Sequence, residues 1–178
     1  MGVVDLKSLT LTDLEASPSV PNSVLHNHGR LRVKSDWLES DSGDSDTSTF
    51  RFFRVRSSDS IKSLRVYNNG ISSGTDYDCG LYTINGGSVL TNGVDLYADG
   101  FTLATLIPSV PHITATSAYQ ELRFGDATTS IMSDINNAVW QDLGLSTDPF
   151  LEYDMVLTGN TVGGGGLICL MMFYTSGD

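Results

Sequence analysis

The chain predicts a mainly-β domain, an antiparallel β-sandwich or jelly-roll-like fold with one short α-helix and an extended N-terminal arm. Three observations carry this. Short runs of alternating apolar and polar residues recur between turns rich in Gly, Asn and Asp. Hydrophobic residues make up 40% of the chain and charged residues only 17%, so hydroxyls and amides supply much of the polar surface, a mix that favours strands and turns. Only one stretch, Ser133 to Leu143, has helical spacing. A chain of 178 residues suits one domain, here residues 29–178, with residues 1–28 as the arm.

In the arm, Pro18 and Pro21 exclude a regular helix. Val3, Val4, Leu6, Leu9, Leu11 and Leu14 are scattered among polar residues, which suggests an arm ordered by lying on a neighbour. From Gly29 to Leu38 the alternation Leu31, Val33 and then Trp37 or Leu38 reads as a strand, followed by the acidic loop Glu39 to Thr47. Thr49 to Arg56 is the next strand. Phe50 and Phe52 share one register, Phe53 and Val55 the other, so a bulge or a middle buried on both faces is expected. Ile61 to Tyr67 follows, ended by the turn signal Asn68-Asn69-Gly70.

Tyr77 to Ile84 is a further strand, turned by Asn85-Gly86-Gly87-Ser88 into Val89-Leu90. Asp95 to Leu106 reads as a short helix or an irregular segment. Pro108 and Pro111 bracket a break, and Ile113 to Phe124 offers a strand through Tyr119, Leu122 and Phe124. The helix over 133–143 has Ser133 as N-cap, an apolar stripe of Met132, Ile135, Val139 and Leu143, and Gly144 just past its end. Tyr153 to Thr158 alternates. Gly163 to Gly166 reads as a hairpin turn into Leu167–Tyr174, a strand apolar on both faces and therefore mid-sheet.

Charge is unevenly placed. Eight of the ten Lys and Arg residues lie between Arg30 and Arg65, whereas twelve carboxylates and one cation, Arg123, follow Val66. With a net charge of −11, the basic stretch Arg30, Arg32, Lys34, Arg51, Arg54, Arg56, Lys62 and Arg65 is suited to an acidic partner. The bland alternative is a set of solvated strand residues on several faces. A pI near 4.4 argues against nucleic acid as a partner, and no run approaches the 18 apolar residues of a membrane span. Residues 1–28 lack the basic and apolar regions of a signal peptide.

Motifs of catalysis are missing. There is no G-x-S-x-G elbow, and neither Cys79 nor Cys169 has a His in a plausible context; both read as buried free thiols. The four glycines at 163–166 precede a strand and no Lys-Ser or Lys-Thr, so they do not form a phosphate loop. His26 and His28 share one side of an extended chain without a third ligand; His112 stands apart. Asp41, Asp44 and Asp46 offer oxygens to calcium, but their spacing does not fit an EF-hand and a solvated loop is the default. Asp76 and Asp78 share a strand face, usually a solvated arrangement. The expectation is a non-enzymatic protein without cofactor or metal.

Several stretches carry a resemblance. Leu11-Thr12-Asp13-Leu14-Glu15-Ala16-Ser17-Pro18, the strand pair Thr49–Val55 and Ile61–Asn68, Asp78–Tyr82, Asp95–Ala98, and above all Val139–Pro149 with Tyr153–Thr158 are similar to segments of small virion structural proteins of tailed bacteriophages. The similarity is discontinuous over residues 3–175. Ser57-Ser58-Asp59-Ser60 departs from a turn in which that family often has a proline, and Cys79 replaces a common apolar residue.

The resemblance implies a head decoration or cement protein, located on the capsid surface of the virion and in the host cytoplasm during assembly. Its partners would be the major capsid protein and copies of itself, with a closed trimer favoured by cyclic symmetry and the local threefold sites of capsids. Val3, Val4, Leu6, Leu9 and Leu11 would lie on an adjacent subunit. Arg30, Arg32, Lys34, Arg51, Arg54 and Arg56 would face carboxylates of the shell or of a neighbouring copy. A neck, tail or fibre-base protein, with receptor or carbohydrate binding, is the alternative.

Overall fold

The computed structural model describes residues 16, 18, 30–72, 74–91, 93–104, 119–123 and 132–177, with the side chains of 132 and 133 excepted. The arm residues Val3, Val4, Leu6, Leu9 and Leu11, the three histidines and Phe124 lie outside the described residues, as does the Ser133 capping side chain.

Among the described residues, eight strands form two antiparallel four-stranded sheets. They are β1 (Leu31–Ser40), β2 (Ser48–Arg56), β3 (Ser60–Asn68), β4 (Asp76–Thr83), β5 (Ala98–Phe101), β6 (Gln120–Glu121), β7 (Glu152–Thr161) and β8 (Gly166–Thr175). The first sheet runs β1-β8-β3-β6 and the second β2-β7-β4-β5. The mainly-β sandwich expected from the sequence is thus observed. β8 sits mid-sheet, as its apolar faces suggested, and β7 has the same place in the second sheet.

The core lies between the sheets. The inward rows of β7 (Tyr153, Met155, Leu157) and β8 (Ile168, Leu170, Met172, Tyr174) meet Phe50 and Val55 of β2, Ile61, Leu64 and Val66 of β3, and Tyr77, Cys79 and Leu81 of β4. The bulge in β2 is real. Phe50 pairs with Leu157 and Arg51 with Val156, then the register shifts so that Phe53 opposes Met155, leaving Phe52 as the extra residue. All four apolar residues thereby stay packed while Arg51, Arg54 and Arg56 keep to the outer face.

Four expectations are corrected. Gly163–Gly166 is not a hairpin turn, because β7 and β8 belong to different sheets. The run instead carries the chain across the sandwich end, where Gly164 N donates to Ser72 O at 2.6 Å and a Cβ on Gly165 would lie 2.9 Å from Ser40 O. Asp95 to Leu106 contains β5, neither helical nor wholly irregular, since the open edge of β4 recruits it: Tyr97 N donates to Cys79 O at 2.9 Å, and Tyr77 pairs with Phe101. Within 113–124 the described strand is only β6.

The single helix over 133–143 is also divided. A 3-10 turn covers Met132–Asn136 and α1 covers Val139–Asp142, with Ala138 extended between them at ψ 159°. Tertiary hydrogen bonds decide this, because Val139 N donates to Asp59 O at 2.8 Å and Trp140 N to Ser57 O at 3.0 Å. Those carbonyls satisfy helix-start donors that would otherwise need an upstream helical turn. Gly144 does close α1, with φ 71°.

Candidate functional site

The eight clustered cations separate into distinct environments. β1 and β2 are edge strands of opposite sheets and run along the same open side of the sandwich. Arg32 and Lys34 stand in the inward register of β1, opposite Tyr174 and Met172 of β8. Lys34 Nζ reaches across to the other sheet, donating to Arg54 O at 2.5 Å, and lies 5.0 Å from the centre of the Tyr174 ring. Arg32, Lys34, Arg54 and Arg56 line one shallow groove of about 180 Å³, together with Asp59, Glu152, Tyr174 and Ser176. Four cations there face two carboxylates, in a chain of net charge −11.

The groove is polar and preorganised. Arg54 Nε holds Asp154 at 3.3 Å, and its terminal nitrogen donates to Asn85 Oδ1 at 2.7 Å. Arg56 Nε lies 3.7 Å from Glu152 Oε1. The Asp59 carboxylate is buried and accepts from Arg56 N at 3.0 Å, which fixes the turn between β2 and β3 beneath the groove. Exposed pairs of this kind add little to stability.

The other cations serve the fold. Arg51 is half-buried, 3.1 Å from Asp154 Oδ2, and donates to Thr83 O and Gly87 O at 3.2 and 2.5 Å, clamping the turn after β4. Lys62 donates to Ile135 O at 2.9 Å and Asn136 Oδ1 at 3.1 Å, securing the 3-10 turn; burial holds its pKa below the usual lysine value. Arg65 is stacked between Tyr119 and Phe173, 4.1 and 4.6 Å from their ring centres. Arg30 is exposed at the start of β1. Of the sequence-predicted contact residues, then, Arg32, Lys34, Arg54 and Arg56 converge, and Arg51 is tied instead to the turn after β4.

The remaining candidates have structural partners. Asp41 Oδ1 accepts from Gly43 N at 2.9 Å, Asp44 Oδ2 from Asp41 N at 2.8 Å, and Asp46 Oδ1 from Val162 N at 3.2 Å. The three carboxylates brace the loop instead of converging, and among the described residues no group of three His, Cys, Asp or Glu could hold a metal. Asp76 and Asp78 share the Asn160 amide, at 3.4 and 2.8 Å. Cys79 is buried and Cys169 is half-buried on the outer face of β8; both are free. Burial pushes both thiols above their usual pKa, Cys79 the further.

Two features escaped the sequence reading. Arg123 and Asp142 form an ion pair at 2.8 Å with side chains only 4% and 3% exposed. Arg123 also donates to Asp134 O and stacks 5.0 Å from the Tyr97 ring centre. Burial raises the Asp142 pKa, and the guanidinium opposes that rise. This is a tie between the 119–123 segment and α1. The second feature is Phe150, 88% exposed with φ 55°, beside a cleft of about 500 Å³ lined by Arg56, Ser57, Ser58, Leu151, Glu152 and Gly177. Asp148 Oδ1 accepts from Phe150 N at 2.8 Å and from Ser57 Oγ, so a built loop displays the ring. The proline at 149 was visible in the sequence, but not the left-handed backbone that follows it.

Compared with family models, curated proteins and solved structures, the chain gives no match.

Proposed function

We propose that this chain is a non-enzymatic virion structural protein that binds the outside of a tailed-phage capsid and bridges neighbouring capsid subunits. The observation that carries the reading is the basic edge, where Arg32, Lys34, Arg54 and Arg56 line one groove on an otherwise acidic molecule. Such an edge suits carboxylates on a shell subunit. Charge there sets orientation and encounter rate more than affinity, and repetition over the particle makes weak single contacts add up. The resemblance to small phage virion proteins supplies the identity of the surface.

Co-sedimentation with undecorated capsid shells tests this, using the wild-type chain and an Arg32→Glu/Lys34→Glu variant. Saturable binding at many copies per particle is expected, weakened by the double reversal and by added salt. A folded chain that leaves shells undecorated overturns the reading.

Phe150 and its cleft favour a second reading, a neck, tail or fibre-base protein with carbohydrate binding, because an exposed aromatic beside an open cleft of mixed apolar and polar lining suits a sugar face. Loss of glycan-array binding on Phe150→Ala, with shell binding absent, would select it.

A further inference from the structure

The alternation of β1 is inverted. Three of its charged residues, Arg32, Lys34 and Asp36, take the inward register with Leu38, and three apolar residues face solvent on the side of Glu39: Leu31 is 59%, Val33 52% and Trp37 65% exposed. These lie on the outer face of the first sheet. Strand pairing continues the row inward, with Val33 opposite Phe173, Trp37 opposite Cys169, and Tyr67 on the far side of Cys169. Leu167 extends it at 43% exposure. A register slip of one residue would bury this set, but Lys34 is anchored inward on Arg54 O and Tyr174. The outward apolar face is therefore a fixed property of the sandwich. A contiguous apolar patch of this kind marks a surface with a partner.

The chain itself holds a segment able to cover it. Residues 1–29 join the sandwich at Arg30, directly before Leu31, at the margin of this face. They contain Leu9 and Leu11, spaced by two so that both meet a sheet from one side of an extended segment; Val4 and Leu6 have the same spacing on the opposite side. Extended, 29 residues reach roughly 95 Å at about 3.3 Å each. The ten residues of β1 run only about 33 Å, so the segment can double back and cross the face. Tethering at the rim gives it a local concentration that a separate molecule does not match.

We propose that the outer face of the first sheet is the docking site of this chain's own residues 1–29, with Leu9 and Leu11 packed on Leu31, Val33, Trp37 and Leu167 of the same copy. This differs from the expectation of an adjacent subunit, and the reason is the position of the apolar face at the segment's own root. The proposal does not depend on capsid binding.

Cys169, in the middle of the face, is the reporter; Cys79 is fully buried and stays unlabelled in the folded chain. Maleimide labelling of Cys169 would be followed in the full-length chain and in a Leu6→Ser/Leu9→Ser/Leu11→Ser variant. Labelling about tenfold faster in the variant is expected, at every protein concentration, as a covered face opens only a minor part of the time. Equal rates in the two chains overturn the proposal. So does protection that vanishes on dilution, which would assign the face to a second copy. Independently, a short bismaleimide applied to Leu9→Cys should link it to Cys169 within one chain. A dimer band in its place puts the segment on a neighbouring copy and overturns the same-copy assignment.

Discussion

The outer faces of the two sheets are built on opposite principles. On the second sheet, β7 presents Glu152, Asp154, Thr158 and Asn160, and each finds a partner within the chain. Asp154 holds Arg51 and Arg54, Thr158 shares a 2.7 Å hydrogen bond with Tyr82, and Asn160 bridges Asp76 and Asp78. Backbone closes over Gly80, and Val156 beneath is fully buried. On the first sheet, the corresponding row is Leu167, Cys169, Met171 and Phe173, flanked by exposed Val33 and Trp37. One face completes its interactions by itself; the other retains exposed apolar area. The lesson is that exposure has to be judged by chemistry, because both are outer faces of central strands.

The sharpest way to break the contrast is at Gly80. A Cβ there would sit 1.7 Å from Gly93 O and 2.4 Å from Val94 O, both backbone atoms. Gly80→Ala should lift the covering segment and lower stability by about 3 kcal/mol, read as a fall in the urea midpoint. A wild-type midpoint would mean that the cover is loose and the two faces alike.

Asp154→Ala comes next. It leaves half-buried Arg51 without its carboxylate and removes the anchor of Arg54. A loss of about 2 kcal/mol is expected from the unpaired groups. Asp154→Asn, which keeps an acceptor oxygen, should recover part of it. No loss in either variant would show that the pairs on this face are decorative.

The smallest effect belongs to the first sheet. Val33→Thr with Trp37→Thr should change stability by no more than about 0.5 kcal/mol when made in the Leu6→Ser/Leu9→Ser/Leu11→Ser background. In the wild-type background the cost should be larger, and the difference between the two measures the coupling between segment and face. The same cost in both backgrounds would mean that the sandwich alone holds Trp37.

Much of the fold was legible because it rests on local pattern. Alternation located β1 to β4, β7 and β8, the double register of Phe50, Phe52, Phe53 and Val55 announced the bulge, and Gly144 marked the end of α1. The failures share a cause in distant partners. Asp59 O and Ser57 O split the helix, the edge of β4 made a strand of Ala98–Phe101, and the glycines at 163–166 turned out to cross between sheets. Of the site, the basic stretch was legible but not its division: Arg51 and Arg54 share Asp154, yet only Arg51 is half-buried and bound to the carbonyls of Thr83 and Gly87.

By itself the sequence determined a β protein with one bulge, one short helical stretch, a central last strand and a cationic stretch, because periodicity, turn chemistry and charge are properties of neighbouring residues. Only the tertiary structure decided which sheet each strand joined, which cations met at an edge and which apolar row faced outward. Every strand pair but β4 with β5 joins residues far apart in the chain, as with Arg32 and Tyr174. Such pairings are set by contacts distant in sequence, and no local pattern encodes them.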